Sequence, residues 1–397
     1  MSRTPQQLGL AFAGRLRDVK EQFVDRDEVV DLLALGALCG EHALVIGPPG
    51  TAKSRLLMRF CRLLDTEPFS YLLTRFTEPA EIFGSIDVKE FQDHSVYKIN
   101  TTGMLPEARI AHLDEVFRGS SAILNTLLTL INERTFHTGQ TLLRSPLITL
   151  VGSANDIPDD PELAAFSDRF LLRCTVDHVG DDDLEDLLAV GWQDEQGRIK
   201  AAAGTGGAGG GESHDRDLVP LTAPELASLQ QAVGKVDLTP IRGPYAKVLQ
   251  ALRGEGVTFS DRRAVKAQKV FAASAVLRGS GTAEEADLAR LVHLWTDPRD
   301  EATLRRIIAD SGIPVDEPGG GTRDPVLIKI DLREIGELRE RAATGIEIQR
   351  LAQDNRRLAN EVRRHHRGDS ELLRAIEREQ TALMTRLREL DPDRWLS

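Results

Sequence analysis

The sequence of 397 residues is longer than one ordinary domain and predicts two to three folded units. Apolar residues make up 41% and charged residues 28%, which is typical of a globular protein and excludes a fibrous or largely disordered chain. The net charge of −12, from 50 basic and 62 acidic side chains, argues against bulk nucleic-acid binding, although it leaves room for a local basic channel.

Cysteine and histidine usage points to no metal or disulfide framework. Cys39, Cys61 and Cys174 form no C-x-x-C pair, so we expect buried, reduced thiols. The nine histidines make no cluster with metal-ligand spacing. The N-terminus lacks an apolar export signal, and no run of about 18 apolar residues occurs, so we expect a cytoplasmic protein without a membrane span.

The first half of the chain alternates between helical and strand patterns. An amphipathic pattern at 27–38 predicts a helix, and the apolar run at 42–46 predicts a strand that ends at a glycine. Four further strand-length apolar runs, separated by helical stretches such as 122–133, follow at 70–73, 109–113, 147–151 and 170–176. This alternation predicts a parallel sheet with helices on both faces.

The segment after the first predicted strand has the composition of a phosphate-binding loop. Its eight residues are Gly47, Pro48, Pro49, Gly50, Thr51, Ala52, Lys53 and Ser54. In such a loop glycines let backbone N–H groups approach phosphate oxygens, the lysine reaches the outer phosphates, and the hydroxyl holds a metal ion. The usual pattern has glycine where Ala52 stands. Leucines at helical spacing over 53–64 supply the helix that such a loop opens.

Acidic and amide side chains follow two later strands. Asp114 and Glu115 follow the apolar run at 109–113, and Asn155 follows the run at 147–151. Phosphoryl transfer to water needs one carboxylate near the metal and a second that polarises the water. We therefore expect Asp114 to bind Mg²⁺, Glu115 to act as general base, and Asn155 to orient the water. Without the loop, an Asp-Glu pair at a strand end is common and indicates no function, and Asn155 would indicate only a turn.

The second half of the chain changes composition twice. The stretch 201–211 contains six glycines and predicts a flexible linker, or a loop that is ordered only in an assembly. Helical patterns from Thr222 to Leu294 predict an all-helical unit. After a break at 317–325, apolar residues at alternating three- and four-residue spacing predict helices that pair as a hairpin or as an intermolecular coiled coil.

Four motifs in this order, GPPGTAKS, HLDE, VGSAND and FSDRF, resemble the AAA+ ATPases and more narrowly the MoxR family, whose members often carry alanine at position 52. Longer stretches at 71–84, 123–139 and 260–268 resemble the RavA branch of that family. The resemblance spans about residues 16–294 and does not extend to the C-terminal region.

The resemblance implies an α/β fold: a P-loop core with a five-stranded parallel sheet, an all-α lid and a helical C-terminal extension. We assign residues 1–178 to the nucleotide-binding core, 179–220 to the Gly-rich linker, 221–299 to the lid, and 326–397 to a helical hairpin or coiled coil. The implied cofactors are ATP and Mg²⁺.

The resemblance also assigns roles to two arginines. Arg169 in FSDRF occupies the place of an arginine finger that reaches a neighbour's terminal phosphate, which implies a homohexameric ring. The alternative is a helix-end arginine paired with Asp168. Arg263 in SDRRA matches the lid arginine that contacts bound phosphate, with Arg262 as the neighbouring alternative. We also include Leu56 among the residues expected to contact the nucleotide.

Three further segments match parts of the family that face ligands. Residues 23–29 correspond to a segment over the adenine, and their composition predicts a helix capped by Asp25 or Asp27. Residues 88–103 and 134–146 predict hairpins that face the pore or substrate, or that are only rigid surface hairpins. The side chains expected to contact a client are Phe91, Tyr97 and Phe136.

The implied function is mechanical work on a client. MoxR proteins commonly act with a partner that has a von Willebrand factor A domain, so remodelling or metal-loading of such a partner is the first hypothesis. A nucleic-acid translocase is the second, and the net charge of −12 disfavours it. A slowly hydrolysing scaffold is the third, and the presence of Glu115 and Arg169 disfavours it.

Overall fold

The computed structural model describes residues 3–202 except 140, 159, 181 and 182, residues 219–313 and 315, and residues 325–390 with gaps between 346 and 369. The chain divides into two compact units, Met1–Ile313 and Pro314–Ser397. Most of the glycine-rich stretch 201–211 lies outside the described residues. Each described helix is too short or too polar to cross a membrane.

The described α-helices of the first unit are α1 (Pro5–Lys20), α2 (Asp27–Cys39), α3 (Lys53–Leu63), α4 (Pro79–Phe83), α5 (Val88–His94), α6 (Ser121–Glu133), α7 (Pro161–Ser167), α8 (Leu184–Ala202), α9 (Ala223–Val233), α10 (Arg242–Gly254), α11 (Asp261–Leu277) and α12 (Glu301–Asp310). The strands are β1 (His42–Ile46), β2 (Phe69–Leu72), β3 (Ser85–Ile86), β4 (Ile99–Asn100), β5 (Ile110–Asp114), β6 (Thr135–His137), β7 (Leu142–Arg144), β8 (Thr149–Ala154) and β9 (Phe170–Thr175).

Five strands form the central sheet in the order β2-β5-β8-β1-β9, and all neighbours are parallel. Strands β1 and β8 are buried along their whole length, as expected for the middle of a parallel sheet. This confirms the predicted α/β core. Ile46 pairs with both Ala154 and Thr175, so three strands end together at what we call the carboxyl edge of the sheet. His42 and Phe170 mark the opposite, amino edge.

Helices α9 to α12 form the predicted all-helical part, which continues to Asp310 instead of ending near residue 299. Its longest helix, α11, packs against α1, α2 and α9, so the N-terminal helix shares a core with the lid helices. Gly9 permits this packing, because a Cβ atom there would lie 1.9 Å from the carbonyl oxygen of Val276. Trp295, fully buried, is the largest side chain of that core.

Two predicted loop regions contain helices. Residues 179–220, predicted as a linker, include the 19-residue helix α8. Residues 88–103, predicted as a hairpin, include α5, which lies between the antiparallel strands β3 and β4. The hairpin predicted at 134–146 is present as β6 and β7, with its turn at Thr138 and Gly139.

The second unit contains α13 (Pro325–Arg341), helical residues between 345 and 362, and α14 (Ser370–Leu390). The two predicted helical segments pack in one apolar cluster, represented by Ile348, Leu358 and Ile376, and α13 adds a third helix to the pair. Asn355 is fully buried there and donates from Nδ2 to the Ile376 carbonyl oxygen at 2.9 Å. The packing within the chain favours the hairpin over an intermolecular coiled coil.

Candidate functional site

The predicted phosphate loop lies between β1 and α3, at the carboxyl edge. Gly47 donates its N–H to the Ala154 carbonyl at 3.0 Å, and a Cβ atom at Gly47 would lie 1.9 Å from the Val176 carbonyl oxygen. Only glycine therefore fits where the loop leaves the sheet. Ala52 adopts a left-handed conformation with φ 61°. This explains why glycine is usual there, since a left-handed residue with a side chain costs about 1–2 kcal/mol.

The side chain of Lys53 lies inside the loop. Its Nζ donates to the carbonyl oxygens of Gly47 at 2.7 Å and Pro48 at 2.8 Å. Burial lowers the pKa of Lys53 below its ordinary value, and the nearby carboxylates of Asp114 and Glu115 oppose that change. The ammonium group is thus held between the loop and the two carboxylates that the sequence assigns to catalysis.

Two neighbouring strand ends bring the predicted carboxylate and amide side chains together. Asp114 ends β5, and Asn155 follows β8, which is the neighbouring strand. Asn155 donates from Nδ2 to Glu115 Oε1 at 2.8 Å. Glu115 has φ 51°, and this left-handed turn directs its chain away from the strand into a short 3₁₀ segment. The predicted proximity of the carboxylates and the amide is present in the structure.

Arg118 is a contact of Glu115 that sequence reasoning did not identify. Its Nε lies 3.1 Å from Glu115 Oε2, so Asn155 and Arg118 each hold one oxygen of the same carboxylate. The Arg118 side chain is 64% exposed, so solvent weakens this ion pair and leaves it able to open.

The loop and carboxylates also provide the donor set that Mg²⁺ prefers. Ser54 is exposed in the first turn of α3, and Asp114 lies across the loop near Lys53. Hard oxygen donors of this kind, few in number and supplemented by phosphate and water, are typical of Mg²⁺ sites beside nucleotides. No cluster of three or more histidine, cysteine or acidic side chains suited to a metal occurs among the described residues. The donors present therefore fit a nucleotide-bound Mg²⁺ better than a cation held by protein ligands alone.

Arg169 lies at the other end of the sheet. It immediately precedes β9, whose first residue, Phe170, pairs with His42 at the amino edge. The five-residue strand β1 separates this edge from the phosphate loop by about 13 Å, at roughly 3.3 Å per residue. Arg169 Nη1 lies 3.6 Å from Asp168 Oδ2, so the alternative pairing is also present. The Arg169 Nε atom is buried with no hydrogen-bond partner among the described residues.

Two family descriptions match the chain at the positions that carry this geometry. Residues 11–206 match the MoxR domain of the MoxR-vWA-beta-propeller ternary systems, and residues 240–308 match an AAA lid domain. The chain belongs to the MoxR-type AAA+ ATPases.

Similarities to individual proteins extend over most of the chain. It is 34% identical over 285 residues to one uncharacterised protein of Methanocaldococcus jannaschii, covering 72% of this chain and 71% of that protein. A second uncharacterised protein of the same organism is 34% identical over 301 residues, covering 75% of this chain and 74% of that one. The fold resembles the crystal structure of a candidate ATPase from Cytophaga hutchinsonii, with a TM-score of 0.58 and 16% identity over 77% of this chain and 95% of that chain.

In this MoxR-type protein the predicted role of Arg263 conflicts with the structure. The guanidinium is 2% exposed and donates to the carbonyl oxygens of Leu294 at 2.6 Å and Leu171 at 2.7 Å. Leu171 is near the start of β9, so Arg263 lies toward the amino edge and away from the phosphate loop. Arg263 fixes the lid helices to the sheet. Arg262 is exposed, and its Nη2 donates to Asn132 Oδ1 at 3.4 Å.

Leu56 does not offer the predicted nucleotide contact. Its side chain is 1% exposed in the core, and its backbone N–H donates to the Ala52 carbonyl at 2.9 Å. Leu56 therefore anchors the first turn of α3 beneath the loop. From the sequence alone, a residue this close to the loop motif could lie under the loop or face the nucleotide, and the pattern did not indicate which.

The segment 23–29 contains a contact to the loop that the sequence did not indicate. The N-cap of α2 is Arg26 and not Asp25 or Asp27, and it makes no side-chain cap. Arg26 is buried and donates from Nε to the Thr51 carbonyl at 3.1 Å and from Nη2 to the Asp177 carbonyl at 2.8 Å. It thereby ties the start of α2 to the phosphate loop and to the end of β9.

The three aromatic residues predicted to contact a client differ in exposure. Phe91 is 53% exposed and Tyr97 is 50% exposed. Phe136 is 6% exposed and stacks on Phe83 with ring centroids 5.6 Å apart. The prediction for Phe136 is wrong, because the ring forms the core between the β6–β7 hairpin and α4.

Proposed function

We propose that this protein hydrolyses ATP with Mg²⁺ in a ring of identical subunits and uses the energy to remodel, or load a metal into, a partner with a von Willebrand factor A domain. The observation that carries the proposal is the meeting of the Lys53 loop with Asp114, Glu115 and Asn155 at one edge of the sheet. These residue types in this arrangement suit phosphoryl transfer to water.

Each side chain has a defined task in the proposed reaction. The loop N–H groups and Lys53 bind the β- and γ-phosphates, and Ser54 and Asp114 hold the Mg²⁺, which offsets phosphate charge. Glu115 takes a proton from water as the water oxygen bonds to the γ-phosphorus and the bond to ADP breaks. Asn155 orients Glu115 and the water, since its amide already donates to that carboxylate.

The position of Arg169 supports the ring. Because the phosphate loop is at the carboxyl edge and Arg169 at the amino edge, this arginine is far from the phosphate of its own subunit. In a ring, the Arg169 guanidinium faces the neighbouring subunit, where it stabilises the charge that develops during phosphoryl transfer. A hexamer is the proposed stoichiometry, by analogy with the family.

The matched family description names MoxR, a vWA protein and a beta-propeller protein together, which supports a vWA partner. The exposed aromatic side chains of Phe91 and Tyr97, on the region between β3 and β4, are the proposed client contacts. Exposed aromatic side chains of this kind suit contact with a protein surface, because aromatic rings contribute large contact area at low entropic cost.

The proposal is tested with three variants of the full chain. Glu115→Gln is expected to bind ATP without hydrolysing it, Lys53→Ala to bind ATP poorly, and Arg169→Ala to bind ATP but lose hydrolysis. ATP binding is measured by calorimetry and hydrolysis by phosphate release. Normal hydrolysis by Arg169→Ala would refute the trans-acting arginine, and normal hydrolysis by Glu115→Gln would refute the assigned base.

The partner is identified with Glu115→Gln as bait in lysate of the native organism, with Lys53→Ala as the matched control. ATP-dependent enrichment of a vWA protein on Glu115→Gln alone supports the proposal. Recovery of nuclease-sensitive nucleic acid instead would support a translocase, and recovery of neither would support a self-assembling scaffold.

A further inference from the structure

A chain of hydrogen bonds crosses three strands of the sheet and ends on Asp114. It begins at Ser70 on β2, passes through His112 on β5, and reaches Ser153 on β8. Ser153 Oγ then contacts Asp114 Oδ1 at 2.7 Å. His112 and Ser153 are 3% and 1% exposed, so the middle of this chain is inside the protein.

Asp114, the last residue in this series of hydrogen bonds, determines which atom donates and which accepts in each of them. A carboxylate oxygen only accepts, so the Ser153 hydroxyl donates to Asp114 and must accept from His112 Nε2, which lies 2.9 Å away. His112 Nδ1 then accepts from the Ser70 hydroxyl at 3.2 Å.

The two carboxylate oxygens of Asp114 differ in their hydrogen bonds. Oδ1 accepts from Ser153 Oγ and also from the Glu115 backbone N–H at 3.0 Å. Within the described part of the chain, both hydrogen bonds to this carboxylate fall on Oδ1. The group is therefore held in one rotamer, with Oδ2 left to other ligands.

We propose that His112 and Ser153 are positioning residues that fix Asp114 so that Oδ2 is presented to the Mg²⁺ that accompanies the nucleotide; this rests on the function proposed above. The physical reason is the one that applies to metal ligands generally: an outer hydrogen-bond partner fixes the orientation of the ligand, and its removal typically costs about 10–100-fold in metal affinity. Because Ser153 and His112 are buried, water replaces neither of them easily.

The test measures the contribution of the metal separately from hydrolysis. In a Glu115→Gln background, the Kd of ATP is determined by calorimetry with excess Mg²⁺ and again with EDTA, and the ratio of the two values reports how strongly Mg²⁺ tightens binding. We expect Ser153→Ala and His112→Leu to reduce this ratio by about 10-fold while leaving the Kd in EDTA unchanged.

Two matched variants separate positioning from packing. His112→Gln keeps an N–H donor near the place of Nε2 and should restore most of the ratio. Ser70→Ala removes the exposed end of the chain, where water substitutes for the hydroxyl, and should leave the ratio unchanged. With Glu115 restored, the Mg²⁺ concentration for half-maximal hydrolysis should rise in Ser153→Ala, with little change in kcat at saturating Mg²⁺.

The outcomes are distinguishable. An unchanged ratio in folded Ser153→Ala, checked by thermal melting, overturns the inference. Equal weakening with Mg²⁺ and with EDTA overturns it too, since the residues would then only support the loop. If Glu115→Gln binds no ATP under either condition, the proposed function itself fails.

Discussion

Replacing Arg263 with alanine is expected to destabilise the first unit, whereas the same change at Arg262 should not. Arg263 donates to the buried carbonyl oxygens of Leu294, Leu171, Trp295 and Phe170 at 2.6, 2.7, 3.1 and 3.3 Å, and Asp168 Oδ1 lies 3.3 Å away. Removing one partner of such a buried charged network costs about 3–5 kcal/mol, because the remaining polar groups are left without water or a donor. A loss of about 4 kcal/mol corresponds to a melting temperature about 8 °C lower, at roughly 2 °C per kcal/mol for a unit of this size.

The assay is thermal melting of both variants with and without MgATP. Arg262→Ala should melt within about 1 °C of the wild type, since an exposed side chain contributes less than about 0.5 kcal/mol. Arg263→Lys should recover only part of the loss, because a lysine cannot reproduce the planar fork of donors. If Arg263→Ala melts normally in the absence of nucleotide but loses the stabilisation that MgATP provides, then Arg263 contacts phosphate and the structural assignment is refuted.

Three further predictions concern buried side chains and the close backbone contact at Gly47. Phe136→Ala should cost about 3 kcal/mol because the ring is buried, and Phe91→Ala less than about 0.5 kcal/mol; equal melting temperatures would contradict this difference. Burial lowers the pKa of both His42 and His293 to about 3, so the unfolded chain binds protons that the folded chain does not. The free energy of unfolding should therefore fall by about 1.4 kcal/mol for each histidine and each pH unit as the pH drops below about 6.5. Urea midpoints that do not change between pH 7.5 and 5 would contradict this. Gly47→Ala should abolish ATP binding measured by calorimetry, because its Cβ atom collides with a carbonyl oxygen at 1.9 Å, and wild-type affinity would show that the loop can relax.

The sheet and the phosphate loop were predictable because their information is local. Apolar runs of strand length and a glycine-rich loop between strand and helix are visible in a short window, and strands of a parallel sheet must end at a common edge. That rule alone brought Asp114 and Asn155 together, and the structure has Asn155 in contact with the neighbouring Glu115 at 2.8 Å.

The direction of a side chain was less predictable than its place in the sequence. Arg262 and Arg263 are adjacent and chemically identical, yet one is exposed and the other buried, which depends on how α11 is turned toward β9. Phe136 lies between the half-buried Thr135 and the exposed His137 in a short strand, so its burial depends on Phe83, which belongs to α4 and is far away in the sequence. Arg26 donates to backbone carbonyl oxygens, and His112 hydrogen-bonds with a serine hydroxyl. Because many sequences could provide such partners, no motif identified these two residues.

The polar chain inside the sheet has an evolutionary consequence. The Ser153 hydroxyl accepts its buried hydrogen bond from His112, and the His112 N–H has Ser153 as its buried acceptor. This hydrogen bond is therefore possible only while both positions carry a suitable polar side chain. Loss of the Ser153 hydroxyl leaves the buried His112 N–H without its acceptor, which costs about 1–3 kcal/mol, whereas loss of His112 leaves Ser153 its hydrogen bond to Asp114. Descendants of this sequence that keep an imidazole at 112 should therefore keep a hydrogen-bond acceptor at 153.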